Sequence, residues 1–151
     1  MKFKLIYLFP VFVLFALVGG CIGHNNPAPI SGTVPTGTFT GQFARLHLNS
    51  KTGKVDTTTA NLVLNMETAT GFKLTGDTSN VHAGSYGSYI INSTYTAIEF
   101  IDKTYPSTGI SAKTHLSGIY QYAYDSKNLA IEAYGALDTL AFIYTMVKSG
   151  N

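Results

Sequence analysis

From Thr36 onward the chain alternates apolar and polar residues with a period of two. Turn-forming residues interrupt the alternation at intervals of about 8–12 residues, the spacing of an all-β sandwich or barrel. The first strand spans residues 38–48, with Phe39, Gly41 and Phe43 on one face. Leu46 and Leu48 then fall in the opposite phase. That switch predicts a bulge or bend near Ala44-Arg45, or a strand passing from one environment into another. Ser50–Lys54 is a hairpin turn, with Gly53 free to take positive φ. The second strand, 55–67, is Thr-rich at its start and apolar at Leu62, Leu64 and Met66.

Short strands follow. Residues 72–76 carry Phe72 and Leu74; 85–92 carry Gly87, Tyr89 and Ile91; 95–102 carry Ile98 and Phe100. Tyr120, Tyr122 and Tyr124 share one face of a strand beginning at Gly118, with Ile119, Gln121 and Ala123 on the other. Residues 129–133 and 140–146 complete the set, the last presenting Leu140, Phe142, Tyr144 and Met146 on one side. Residues 77–84 form a polar loop. Residues 103–116 are the longest irregular stretch, of the kind that is often functional.

No segment after Cys21 shows a trustworthy helical period. Eight antiparallel strands joined mostly by short turns predict an all-β fold, an up-and-down barrel that removes its own edges by closing. A β-sandwich with Greek-key crossings is the alternative. Composition agrees: Tyr and Thr favour strands, and Gly and Asn supply turns.

The first residues follow a different pattern. Met1-Lys2-Phe3-Lys4 is basic, and Leu5 to Val18 is almost wholly apolar. The run is shorter than the roughly 20 residues a spanning helix needs. It suits the h-region of a signal-peptide helix ahead of small residues. The segment ends in Val18-Gly19-Gly20-Cys21, with the sole cysteine of the chain. These four residues resemble the lipobox of bacterial lipoproteins. The resemblance implies cleavage before Cys21, diacylglycerol on its sulfur and acylation of the new amino terminus. Stable anchoring takes at least two membrane signals, and multiple acyl chains on one residue meet that need. Ile22, where the inner-membrane retention signal has Asp, points to the outer membrane of the cell envelope.

Three regions are therefore expected: a signal peptide at 1–20, the lipidated Cys21 with a flexible Pro-containing linker at 21–35, and a β-barrel-like domain at 36–151. The net charge of +2 comes from 10 basic and 8 acidic residues. Loss of Lys2 and Lys4 with the leader leaves equal numbers of each. A neutral domain lacks the basic face that nucleic-acid binding needs, so no nucleic-acid partner is expected. A single cysteine permits no disulfide within the chain.

Candidate chemistry is sparse. His24, His47, His82 and His115 show no spacing suited to zinc, so no metal site is expected. The carboxylates sit mostly at turns or on outward strand faces, with no close-spaced pair for acid–base work. With Cys21 lipidated there is no thiol nucleophile, and no catalytic residue or cofactor is expected. The Tyr120, Tyr122, Tyr124 ladder is the one distinctive constellation. It lines a ligand cavity, each ring apolar with a polar tip, or it packs across strands as core.

The opening Gly37-Thr38-Phe39-Thr40-Gly41, the hairpin from Gly118 through Ile131 and the closing Phe142-Ile143-Tyr144 resemble the lipocalin-like domains of small bacterial lipoproteins. True lipocalins open on Gly-x-Trp, and Phe39 stands where that Trp would be. The expectation is a membrane-anchored, non-catalytic envelope protein that binds a small apolar or amphipathic ligand. The alternative is a structural or protein-interaction module of the envelope.

Overall fold

The computed structural model describes residues 32–109, 111–135 and 140–150. Cys21, the signal-peptide segment and most of the linker lie outside the described residues. Eight antiparallel strands form one closed barrel in chain order: β1 (Gly37–Asn49), β2 (Lys54–Glu67), β3 (Gly71–Gly76), β4 (Ser85–Ile91), β5 (Ala97–Asp102), β6 (Gly118–Tyr124), β7 (Asn128–Tyr134) and β8 (Leu140–Lys148). Every neighbouring pair is consecutive except β1 with β8, whose antiparallel pairing closes the barrel. The up-and-down reading holds, and the sandwich does not.

Strand period explains the core. Through the packed part of the barrel every strand turns apolar side chains inward, and a fully buried set runs from Phe39 and Phe43 through Leu64, Ile98 and Ile131 to Tyr144 and Met146. Outward positions are mainly Thr, Asn, Gln and Lys, with exposed apolar exceptions such as Ile90, Ile101 and Ile119. At Gly41 the barrel wall is drawn tight: a Cβ there would run into the Thr145 carbonyl and Met146 Cα of β8. Only glycine lets β1 approach β8 this closely.

β1 has no bulge. Its register with β2 is unbroken from Gly37↔Met66 to Asn49↔Lys54. The inward set therefore continues past Phe43 to Arg45 and His47, while Leu46 and Leu48 face outward. The reversed phase in the sequence marks a strand leaving the packed interior for the barrel's open end.

Strand direction gives the barrel two unlike ends. Gly37, Lys148 and the turns after β2, β4 and β6 lie at one end. The β1–β2 hairpin, the 77–84 loop and the 103–117 connection lie at the other. Both chain ends of the barrel thus leave from the end opposite the long connections.

Candidate functional site

The long β1–β2 ribbon extends beyond the short β3 and β4, which leaves that second end of the barrel lopsided. Cross-strand register stacks the inward side chains of β2, β1 and β8 in rows, because directly paired residues share a face. Leu62, Gly41 and Met146 make one row, and Ala60, Phe43 and Tyr144 the next. Above these lie Thr58, Arg45 and Phe142, then Asp56, His47 and Leu140. The rows change from apolar to mixed and charged within two steps along β1.

The 77–84 and 103–117 segments fold over the core beside these upper rows. They are tied together by backbone bonds from Ala83 N to Thr114 O (2.8 Å) and from Thr114 N to Val81 O (3.0 Å). The Lys113 ammonium donates to Thr78 O at 2.9 Å, and Leu116 N donates to Ser85 Oγ at 3.3 Å. His82 is the stopper of this plug. It is fully buried, edge-on to Phe43 with ring centroids 4.8 Å apart. Its Nδ1 lies 2.6 Å from the Ala83 carbonyl, and its Nε2 lies 2.8 Å from the Tyr144 hydroxyl. A carbonyl only accepts, so Nδ1 carries the proton. Burial pushes the imidazole down to about 4, so it is neutral at pH 7, and Nε2 accepts from the Tyr144 O–H. The same burial pushes the Tyr144 hydroxyl well above its ordinary value, which keeps it a donor.

Between the plug and the upper rows of β1, β2 and β8 lies a cavity of about 650 Å³. This is within the range of small-molecule sites. Arg45, His47, Asp56 and Thr58 line one side with Leu140 and Phe142; Tyr105 and residues 111–115 line the other; Tyr120 contributes from β6. Ring and aliphatic surface thus meets charged side chains in one space.

The loop side contains a preorganised pair. His115 Nδ1 donates to Asp102 Oδ2 at 2.8 Å, and both side chains are nearly or fully buried. Asp102 also accepts from Thr104 N (2.8 Å) and Thr104 Oγ1 (2.6 Å). Removal from water pushes the Asp102 carboxyl up, but these hydrogen bonds outweigh it and hold the group below its ordinary value. Tyr105 packs edge-on to His115 with centroids 5.1 Å apart. The imidazole is fixed, with Nε2 as its free nitrogen.

All three ladder tyrosines point inward and are buried. Tyr120 reaches the cavity, edge-on to Tyr144 and Phe100. Tyr124 lies deeper, against Phe39, with its hydroxyl donating to Ser126 O. The Tyr122 hydroxyl is buried with no hydrogen-bond partner among the described residues. The ladder is therefore mostly packing, and one of its members is also cavity wall. Arg45, His47, Asp56 and the Asp102–His115 pair were not legible as a site, since they come from strands and loops far apart in sequence. One signal was present: Asp102 and His115 flank a connection whose ends must meet at the β5–β6 hairpin. Among the described residues no group of three His, Cys, Asp or Glu is placed to hold a metal ion.

No protein-family model matches this chain, and neither a curated protein nor a solved structure matches it. The site is read from its own residues.

Proposed function

We propose that the protein is a non-catalytic lipoprotein of the cell envelope, held at the outer membrane through lipid on Cys21, whose barrel mouth binds a small amphipathic ligand. The observation carrying this reading is the mouth cavity itself, where Leu140, Phe142 and Tyr105 share one space with Arg45, His47 and His115. The placement of Gly37 at the far end of the barrel supports it too. A tether on the amino-terminal side leaves the mouth facing away from the membrane. The ligand site of this reading lies at the mouth, with Tyr120 as its link to the tyrosine ladder.

Native mass spectrometry of the lipoprotein extracted from its own membrane tests the reading. A retained small molecule, lost when Phe142→Asp fills the cavity wall with charge, is the expected result. An extract that carries no small molecule, and takes up none when offered alkyl amphiphiles, contradicts it.

One observation favours a second reading. Ile90, Ile101 and Ile119 stand exposed around Glu99 on the outer face of β4, β5 and β6. Ile119 is 70% exposed. An apolar patch of this kind suits contact with another envelope protein. A partner that co-purifies with the intact chain and is lost in Ile119→Lys, with the mouth unaltered, would favour it.

A further inference from the structure

Two charged side chains of the mouth have no charged partner or hydrogen bond among the described residues, Arg45 and Asp56, and they stand in different rows. Arg45 stands in line with Phe39, Gly41 and Phe43, on the inward face of β1. Its strand neighbours on that face are Thr58 and Phe142, neither of them an anion. Among the described residues it forms no ion pair; the one present joins His115 to Asp102. Placing a half-buried guanidinium beside aromatic side chains is unfavourable unless its donors find acceptors. The carboxylates do not supply them. Asp102 already accepts from Thr104 twice and from His115, with its side chain out of solvent. Asp56 lies one row farther out, directly opposite His47. Lys113, the other cation of the cavity, is committed to Thr78 O. The group left open is a planar fork of donors, the geometry that fits a carboxylate or phosphate two bonds at a time.

We infer that the ligand of the mouth carries an anionic group, a phosphate or a carboxylate, received by the Arg45 guanidinium with His115 lining the same pocket, and lays its apolar body along Leu140 and Phe142. This rests on the amphipathic-ligand reading of the cavity and adds the sign and place of the head group. Asp102 holds His115 Nδ1 and fixes the ring, which leaves Nε2 as an acceptor for a hydroxyl of the head group, such as the P–O–H of a phosphate monoanion, while the anionic oxygens fall to Arg45. Phosphate and carboxylate share the chemistry that Arg45 reads, and the source is decided by comparing them.

The full chain, in nanodiscs of zwitterionic lipid, is titrated calorimetrically with octyl phosphate, octanoate, octanol and octylammonium, with empty nanodiscs as the blank. Binding of octyl phosphate or octanoate at least tenfold tighter than octanol, with octylammonium weakest, is the expected result; the tighter of the two anions names the head group. Arg45→Gln is expected to cost the anions tenfold or more while octanol stays within twofold, and Arg45→Lys to recover part of the loss. The Arg45 Nε–H resonance of the unaltered chain gives the same answer without a substitution, moving with the anions and not with octanol. Octanol bound as tightly as the anions, or anion affinity within twofold in Arg45→Gln, overturns the anionic head group and leaves the amphipathic pocket standing. Binding of none of the four overturns both.

Discussion

At the scale of single residues, chemistry concentrates where hydroxyls and imidazoles leave water. Tyr144 and Tyr122 point into the same barrel, but their hydroxyls have opposite circumstances. Tyr144 donates to His82 Nε2, while the Tyr122 hydroxyl has no partner among the described residues. Tyr144→Phe should therefore destabilise by about 1–3 kcal/mol, the cost of an unsatisfied buried acceptor. Tyr122→Phe should be neutral or stabilising, since it removes a polar atom that gains nothing by burial. Urea unfolding of the two variants against the unaltered chain checks the contrast. His82 ties stability to pH. Burial lowers its folded value to about 4 from 6.5, so between those values the unfolded chain binds the extra proton. The stabilisation is whole above pH 6.5 and is lost as pH falls towards 4, amounting to about 3 kcal/mol. His82→Asn should flatten that part of the pH profile, seen as the difference between the two urea midpoints across pH 7 to 4.

At the scale of elements, β1 bears most of the design. One strand supplies packed core at Phe39 and Phe43, a close approach at Gly41 and cavity wall at Arg45 and His47. Gly41→Val would drive a side chain into the β8 backbone at the seam that closes the barrel. It should destabilise by at least the upper part of the about 1–3 kcal/mol typical of overpacking, measured as a lowered melting temperature. The strands themselves were legible in the sequence because burial on one face imposes alternation that a reader sees directly. β6 is the clearest instance, with Tyr120, Tyr122 and Tyr124 against Ile119, Gln121 and Ala123. The site was not legible for the converse reason. In β1 beyond Phe43 the outward residues are Leu46 and Leu48 and the inward ones are Arg45 and His47, so hydropathy there indicates the wrong face. His82 hides equally well, since a polar loop gives no hint that one of its members closes the core. Register resolves both, and register needs the partner strand.

At the scale of the whole molecule, the barrel has two unlike ends, one where Gly37 and Lys148 lie and one crowded by the long connections. The long connections fall at one end and β1 begins at the other, an arrangement that supports the proposed anchored binding module. The anchor has its own test. Cys21→Ser should abolish fatty-acid incorporation and move the protein from the membrane fraction to the soluble one; unchanged labelling would contradict lipidation there. In the proposed binding mode, ligand enters the mouth between the β1–β2 ribbon and the 103–117 connection. Photolabelling with a diazirine-bearing alkyl phosphate, followed by peptide mapping of the full chain, addresses it most directly. Label is expected on peptides from residues 45–58 and 105–117, competed away by unlabelled octyl phosphate. Label confined to the outer face around Ile90, Ile101 and Ile119, or label that no amphiphile displaces, would contradict it.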